Sequence, residues 1–240
     1  MNIKKEIPNL LTLGNLLAGC LGLVFVMQGN LLWASYCIGI SLVCDFFDGF
    51  LARLLHAYSE IGKQLDSLAD MVSFGVLPSF MLLHLVEKSC TSLCYYGLGG
   101  FYKPYMVFAL ALASAYRLAK FNIDTRQSDQ FIGVPTPANG LFIASIPLIL
   151  SFQPAFAVYF LHFNGLLIYA ILMSYLMVSE LPLIAFKFKS FAWNANQMRY
   201  IFLIFCVISV LLLKFVAIPL IVISYILLSG ILYILNSRQK

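Results

Sequence analysis

The sequence predicts an all-α integral membrane protein with about eight transmembrane helices. Of its 240 residues, 62% are hydrophobic and only 10% are charged, far below the roughly 25% charged residues of an average soluble domain. Its apolar runs are about 20 residues long, the length that a helix needs to cross a hydrocarbon core of about 30 Å. They lack the strict alternation of β-barrel strands, which are roughly 10 residues long.

The first apolar run is predicted to be an uncleaved helix. Lys4 and Lys5 precede it, as they would a signal peptide. The run is too long for that reading, however, and it carries Asn9, Thr12 and Asn15 on one side. The predicted spans that begin with this helix are roughly 8–28, 31–56, 62–86, 103–123, 138–161, 165–187, 197–213 and 215–236.

The last two spans are separated only by Lys214, and Pro219 favours a break there. No linker or soluble segment interrupts the series of spans, so residues 1–240 are predicted to form a single polytopic membrane domain. Within this domain the last two helices, about 197–236, are predicted to be peripheral to the core.

Basic residues distinguish the two sides of the predicted bundle. Eight spans place both termini on one side, and of the fifteen Lys and Arg residues only Lys88, Lys103 and Lys214 fall on the other. Because cytoplasmic loops carry an excess of Lys and Arg, both termini and the 56–64 connection are predicted to be cytoplasmic, in the cell (inner) membrane. The net charge of +5 is not gathered in an extended basic cluster, so no nucleic-acid partner is predicted.

The cysteines and histidines do not indicate a metal or nucleophilic site. The six cysteines form no CxxC pair and the three histidines are scattered. A disulfide between Cys90 and Cys94 is possible, because both lie in a predicted outer loop. The remaining cysteines fall in apolar spans as small packing residues: Cys20, Cys37, Cys44 and Cys206.

Four carboxylates stand at helical spacing in this apolar setting. Asp45 and Asp48 are three residues apart, and Asp66 and Asp70 are four apart, so each pair projects from one helix face. Like charges inside a membrane repel each other and are costly to desolvate unless cations neutralise them, which favours a divalent metal site. Asp45 would lie about 9 Å, and Asp70 about 12 Å, from the cytoplasmic edge. The two pairs would therefore face each other across a cleft open to the cytoplasm and clamp one or two hard cations.

The residues around the carboxylates favour a phosphate-bearing ligand. Gly49, Ala52 and Gly62 leave room for a flat or extended molecule beside the helix backbones. Arg53 adds a positive charge suited to a phosphate. Small residues alone often serve only close helix packing in membranes, but here they accompany four intramembrane aspartates. The combination indicates a binding site.

The motif Asp45-x-x-Asp48-Gly49-x-x-Ala52-Arg53, eight residues, Gly62-x-x-x-Asp66-x-x-x-Asp70 resembles the signature of the CDP-alcohol phosphatidyltransferases at every position. That family transfers a phosphatidyl group from a CDP-linked lipid to a small alcohol and releases CMP. The resemblance implies a six-helix core with a cytoplasm-facing active-site cleft, a homodimer, and CDP-diacylglycerol as donor.

The resemblance also implies a role for each residue of the motif. The four aspartates would hold divalent metal, two ions of Mg²⁺ or Mn²⁺, and Asp70 would also be the base that deprotonates the acceptor hydroxyl. The residues implied to bind the CDP-lipid are Asn15, Asp48, Gly49, Ala52, Arg53 and Gly62.

Segments outside the motif favour serine as the acceptor alcohol. Residues 7–15, 117–122 and 131–138 resemble segments of the bacterial-type phosphatidylserine synthases, and this likeness covers most of residues 7–140. It implies transfer to L-serine, with glycerol 3-phosphate or inositol phosphate as the alternative acceptors. Arg117, Asn122 and Arg126 are the predicted serine-binding residues, because a guanidinium can hold a carboxylate bidentately. Cations at this depth also follow the positive-inside rule.

Two further features border the predicted site. Gly133, Pro135 and Pro137 indicate a rigid turn that leads into the fifth span. Glu180, which precedes Pro182 in the sixth span, is an intramembrane acid of the kind that often has a function. The alternatives are that Glu180 snorkels to the interface or pairs with a neighbouring lysine, and no role is assigned to it.

Two other functional classes use similar residues. A membrane prenyltransferase also binds a diphosphate through aspartates and metals, but the spacing of Gly, Ala and Arg fits the phosphatidyltransferase signature better. A cation transporter would use the four aspartates as its ion site, and it would be favoured by pseudo-symmetric broken helices, which the sequence does not indicate.

Overall fold

The structure, a computed structural model, describes residues 3–90, 100–124, 131–183 and 193–237. Most of these residues are helical, which confirms the predicted all-α class. The helices are α1 (Ile3–Met27), α2 (Leu31–Leu54), α3 (Glu60–Asp70), α4 (Leu77–Ser89), α5 (Ala109–Ile123), α6 (Thr136–Phe152), α7 (Ala157–Phe160), α8 (Phe163–Val178), α9 (Trp193–Leu213) and α10 (Ala217–Ser237). A π-helical turn, Met71–Val76, joins α3 to α4, and 3₁₀ segments precede α5, α7 and α10 at Gly100–Phe108, Pro154–Phe156 and Lys214–Val216.

α1 and α2 form a hairpin with an extensive interface. Gly29 adopts a φ of 75° in the turn, a left-handed conformation that glycine takes without steric cost. The Asn30 side chain then accepts a hydrogen bond from the Trp33 backbone N–H and caps α2. Deeper in the interface, the Ser41 hydroxyl donates to the carbonyl of Asn15 at 3.1 Å. The polar side of α1 is thereby fixed against α2.

α3, the π-helical turn and α4 form a rod that packs closely on α5 and α6. A Cβ added to Gly75 would lie 2.9 Å from the Ser114 Cβ of α5, and one added to Gly140 of α6 would lie 3.0 Å from the Phe74 ring. Both contacts are too close for a larger side chain, so the rod is held between these two helices. We call the end of the bundle where α2 and α5 end and α3 and α6 begin the site end.

The segment between α5 and α6 folds back on the end of α8. Strand β1 (Phe131–Ile132) pairs antiparallel with β2 (Pro182–Leu183). The backbone N–H of Gly133, at a φ of 75°, donates to the Leu181 carbonyl at 2.9 Å, and that of Val134 donates to the Leu176 carbonyl at 3.2 Å. The turn that the sequence indicates before the fifth span is thus built against β2 and α8.

Two predicted spans end earlier than expected. The fifth was predicted to continue to residue 161, but α6 ends at Phe152 and the chain bends by 119° into the Pro154–Phe160 segment. Pro154 has no N–H to continue the helix and disfavours the helical conformation of Gln153 before it. The sixth was predicted to reach residue 187, but α8 ends at Val178, ahead of the β2 pairing. Its predicted remainder, like Cys94 of the possible disulfide, extends outside the described residues.

The predicted break between the last two spans is present. Phe202 of α9 and Tyr225 of α10 have ring centroids 6.0 Å apart, whereas 23 positions along one straight helix would span about 35 Å. The chain reverses at Lys214, whose φ is 51°. Gln153 holds this turn from the end of α6, because its amide donates to the Leu213 carbonyl at 3.0 Å and accepts from the Phe215 N–H at 3.0 Å. We call α9 and α10 the C-terminal hairpin.

Several helical stretches of the described chain are long and apolar enough to cross a membrane. Four pass by length and composition, and the bent segment after Thr136 makes a fifth if it counts as one span. Large apolar side chains are exposed on their surfaces, as on lipid-facing helices. The protein is therefore membrane-embedded, and the count of eight crossings stays a prediction. The four stretches are Glu6–Met27, Glu60–Ser89, Lys103–Ile123 and Asn196–Leu235, the last of which contains both helices of the C-terminal hairpin.

Candidate active site

Three of the four predicted aspartates meet at the site end. Asp45 and Asp48 project from the last turns of α2, and Asp66 projects from α3. Each offers a carboxylate oxygen, and these atoms all lie within 4.8 Å of one another. Oxygen ligands stand about 2.0–2.6 Å from Mg²⁺ or Ca²⁺, so oxygens on opposite sides of one ion are about 4–5 Å apart. The three carboxylates are thus spaced as ligands of a common cation.

The chemistry of this trio also fits a hard divalent cation. The carboxylates are oxygen donors of like charge, which stay ionised at close range when a cation balances them. Asp48 is 6% exposed, and the Asp66 Oδ1 atom is buried without a hydrogen-bond partner. A buried acceptor left unpaired is costly, and a bound cation would satisfy it.

Asp70 lies beside the trio but does not belong to it. Its side chain is 7% exposed, one turn along the same helix from Asp66, and it interacts electrostatically with Asp45 and Asp66. Asp70 also interacts electrostatically with the Arg117 guanidinium of α5. Asp70 therefore interacts both with the proposed metal ligands and with a buried cation.

Residues of α1 orient two of the carboxylates. The Thr12 hydroxyl donates to Asp48 Oδ2 at 2.6 Å. Asn15, which is fully buried, accepts a hydrogen bond from the Ser73 hydroxyl through Oδ1 at 2.6 Å, so its Nδ2 is the atom that donates to Asp70 Oδ1 at 3.1 Å. Asn15, predicted to bind the CDP-lipid, is thus placed behind Asp70 and is not among the residues that line the cleft beside the trio.

That cleft has a volume of about 520 Å³ and opens between α1, α2 and α3. A Cβ on Gly49 would meet nothing within 4 Å, whereas one on Gly62 would lie 2.9 Å from the Ser59 hydroxyl. Predicted CDP-lipid residues form its wall next to Asp48 and Asp66, and Arg53 is exposed near the end of α2 outside this lining. The predicted residues in the wall are Asp48, Gly49, Ala52 and Gly62.

The predicted acceptor residues have different surroundings. Arg117 is 7% exposed, and its Nε is buried without a hydrogen-bond partner. Asn122 is partly buried, and its side-chain amide donates to the Ser67 hydroxyl at 2.9 Å. Its backbone carbonyl accepts a hydrogen bond from the Lys63 ammonium at 2.7 Å. The two residues are therefore not interchangeable, because Arg117 interacts electrostatically with Asp70, whereas Asn122 ties α5 to α3. Arg126 lies outside the described residues.

Glu180 lies beyond the end of α8, where its carboxylate pairs with Lys120 at 3.3 Å. The Glu180 side chain is 67% exposed, so the pair is of the surface kind, which contributes little to stability. This ion pair is one of the alternatives to a functional role that the sequence leaves open for Glu180.

A sequence model of the CDP-alcohol phosphatidyltransferase family matches residues 5–177. The chain belongs to this family.

Several relatives of this phosphatidyltransferase carry names that specify a substrate. A CDP-diacylglycerol–serine O-phosphatidyltransferase of Bacillus subtilis is 34% identical over 81% of this chain and 98% of its own length. The protein of the same name from Helicobacter pylori is 32% identical over 78% of this chain and 74% of its own. An archaetidylserine synthase of Methanothermobacter thermautotrophicus is 30% identical over 62% of each chain.

The family model matches one part of the phosphatidyltransferase chain and not the part that follows residue 177. The carboxylates, the cleft and Arg117 all lie within residues 5–177, whereas the C-terminal hairpin follows that region. The hairpin nevertheless reaches the site, because Tyr225 of α10 interacts electrostatically with Arg117. That the last two helices are peripheral to the core stays a prediction.

Sequence reasoning assigned no role to Thr136 and Asn139 at the start of α6. Both are buried, and Thr136 Oγ1 and Asn139 Nδ2 have no hydrogen-bond partner. Asn139 Oδ1 accepts from the Tyr169 hydroxyl at 2.9 Å, which leaves its amide N–H₂ group free to donate. A signal was present in the sequence, since the two polar residues stand three apart in an apolar run and share a helix face.

Packing places Thr136 at the same level of the bundle as Asp70 and Arg117. Gly75 contacts Ser114 on α5, and Phe74 contacts Gly140 on α6. One turn nearer the site end from these contacts are Asp70 on the rod, Arg117 on α5 and Thr136 on α6. Donors from two helices therefore stand at the level of the Asp70 carboxylate.

Proposed function

We propose that this phosphatidyltransferase transfers the phosphatidyl group of CDP-diacylglycerol to the hydroxyl of L-serine and releases CMP. The observation that carries the proposal is that Asp70 interacts electrostatically with Asp45 and Asp66 of the carboxylate trio and with the buried Arg117. The names of the relatives support the donor and the acceptor. Membership of the family disfavours the prenyltransferase and transporter alternatives.

The donor would lie in the cleft with its diphosphate at the trio. Asp45, Asp48 and Asp66 would hold Mg²⁺ or Mn²⁺, with Asp70 contributing to a second ion. When bound, the ions neutralise the diphosphate and stabilise the departing CMP. The open space beside Gly49 and the small side chain of Ala52 leave room for the nucleotide.

Asp70 is the proposed base. It would take the proton of the serine hydroxyl, whose oxygen forms the new bond to the phosphorus that carries diacylglycerol. The bond from that phosphorus to the CMP oxygen breaks, and CMP leaves with the electron pair. Asn15 and Ser73 support this role, because their hydrogen bonds fix the orientation of the Asp70 carboxylate.

The unpaired donors at the level of Asp70 favour an acceptor that carries a carboxylate. Arg117 Nε and Thr136 Oγ1 are buried groups that can donate and lack a partner, and a carboxylate has up to four lone-pair sites for them. Among the residues that the structure describes, Arg117 is the one Lys or Arg whose side chain is buried. A single positive charge balances a carboxylate better than a phosphate group of about −1.5 to −2, as glycerol 3-phosphate or inositol phosphate would bring. The same chemistry with one of those acceptors remains the alternative.

The acyl chains of the donor would stay in the bilayer, and the site end would face the cytoplasm, as the distribution of Lys and Arg predicts. A homodimer remains a prediction that the family resemblance alone supports.

Release of CMP from CDP-diacylglycerol by the purified protein in detergent tests the reaction. With Mg²⁺ or Mn²⁺, we expect release to depend on L-serine and to stay near background with glycerol 3-phosphate or inositol phosphate. The lipid product should carry the label of radioactive serine. Stimulation by a phosphorylated acceptor without stimulation by serine would overturn the choice of acceptor, and no release with any acceptor would overturn the reaction.

Arg117→Ala should raise the serine KM roughly thirtyfold, because loss of a buried charged partner costs about 2 kcal/mol or more. The affinity for CDP-diacylglycerol should change little. Lys120→Ala is the matched control, since it removes a cation from the same helix whose partner is an exposed glutamate, and it should leave both parameters unchanged. A weaker donor affinity with a normal serine KM would move Arg117 to the nucleotide site.

A further inference from the structure

Arg117, the proposed acceptor-binding cation, interacts with groups from two parts of the chain. The Asp70 carboxylate and the Tyr225 hydroxyl both interact electrostatically with its guanidinium. Asp70 lies in the region that the family model matches, whereas Tyr225 lies on α10 of the C-terminal hairpin, which follows that region. A residue from outside the matched region thus interacts with the side chain that is proposed to bind the acceptor.

Packing within the hairpin and against the bundle fixes the position of Tyr225. Its ring centroid lies 6.0 Å from that of Phe202 on α9, and the two ring planes meet at 49°. Val222 and Ser229, which share its face of α10, are 7% and 1% exposed. α10 also contacts β2, the strand that pairs with β1 shortly before α6. The Tyr225 hydroxyl is therefore carried by a helix that is anchored to the rest of the protein.

A phenol hydroxyl can orient a guanidinium without cancelling its charge. Its oxygen accepts hydrogen bonds from guanidinium N–H groups, and the hydroxyl is neutral at physiological pH. A second carboxylate in that place would compete with the carboxylate of the acceptor for Arg117. The Arg117 side chain is long, and its Nε is buried without a hydrogen-bond partner, so Asp70 alone would draw the guanidinium towards the proposed base. Tyr225 supplies an attraction from a second helix.

We propose that Tyr225 is a positioning residue for the acceptor, and that its hydroxyl holds the Arg117 guanidinium in the orientation that binds the acceptor carboxylate. The inference rests on the proposed function, because it takes Arg117 as an acceptor-binding residue. Tyr225 is not among the residues that line the nucleotide cleft or form the carboxylate trio. Its effect should therefore be confined to the binding of the acceptor.

Removal of the hydroxyl alone tests this role. Tyr225→Phe keeps the ring that packs on Phe202, so the melting temperature should stay close to that of wild type. We expect the serine KM to rise about tenfold, while kcat and the Kd for CDP-diacylglycerol change little. A loss of structure would instead lower kcat and the melting temperature. Tyr233→Phe is the matched control, because Tyr233 lies on the same helix and is 51% exposed, and it should leave all these quantities unchanged.

A double-mutant cycle with Arg117→Ala shows whether Tyr225 acts through Arg117. In that background no guanidinium remains to be held, so Tyr225→Phe should not raise the serine KM further. Effects of the two substitutions that multiply would make Tyr225 independent of Arg117 and overturn the inference. A normal serine KM in Tyr225→Phe, or a loss confined to kcat, would also overturn it.

The same series of variants separates this inference from the proposed function. If Arg117→Ala raises the serine KM and Tyr225→Phe does not, only the role of Tyr225 fails. If another acceptor replaces serine in the wild-type assay, the choice of acceptor fails, and the cycle is measured with that acceptor and its anionic group, with the same expected result. A normal acceptor KM in Arg117→Ala would overturn both the acceptor role of Arg117 and the positioning role of Tyr225.

Discussion

Asp70→Asn is expected to reduce CMP release by about a thousandfold, within the range of losses for a missing general base. Asparagine keeps the shape of the side chain but cannot accept the proton of the incoming hydroxyl. Asn15 would lose a charged acceptor, yet the amide oxygen of the new residue can still receive its hydrogen bond. Donor binding should therefore fall much less than turnover.

The measurement is turnover by CMP release beside equilibrium binding of CDP-diacylglycerol. Glu87→Gln is the control, since it neutralises an exposed acid near the opposite end of the same rod, and it should leave both quantities unchanged. Turnover within a few fold of wild type in Asp70→Asn would remove Asp70 from the role of base. Equal losses of turnover and donor binding would make it a metal ligand only.

Asp66→Asn should have effects of opposite sign on activity and on the stability of the metal-free protein. Activity should fall about a hundredfold or more, since the trio loses a charged ligand. Without metal, however, the variant should melt at a higher temperature than wild type, because one of several buried like charges has been removed.

With Mg²⁺ or Mn²⁺ added, the wild-type protein should be more stable than Asp66→Asn. A ligand that binds only the folded state stabilises it by about 2.7 kcal/mol at a hundredfold excess over Kd, and the variant should receive less of this gain. Melting curves with metal and with chelator, in the same detergent, measure both effects. A wild-type melting temperature that does not respond to either metal would contradict a metal site at the trio.

The sequence predicted the all-α membrane fold and the break at Lys214, because long apolar runs and a charged residue within them are local properties. The convergence of Asp45, Asp48 and Asp66 was also predictable, since spacing and antiparallel direction bring two helix faces to similar depth. The placement of Asn15 was not, because its position in a motif does not show whether its amide faces the ligand or a neighbouring carboxylate.

Other features depend on contacts distant in sequence. The early end of α8 follows from pairing with β1, some fifty residues away, and local hydropathy does not report it. Thr136 and Asn139 look like ordinary polar residues of an apolar helix. The packing of the rod on α5 and α6 places Thr136 level with Asp70 and Arg117, and Asn139 lies one turn farther from the site end.

The π-helical turn that follows Asp70 also separates two tasks within one rod. A single π turn holds one residue more than an α turn, so the helix after it is rotated by about 100° relative to an uninterrupted α-helix. The half before the turn can thus aim Asp66 and Asp70 at the site, while the half after it buries Leu77 and Met81 in the core. Residues before the turn orient the two carboxylates, and residues after it pack in the core. The packing of the core can therefore change without changing the direction in which the carboxylates point.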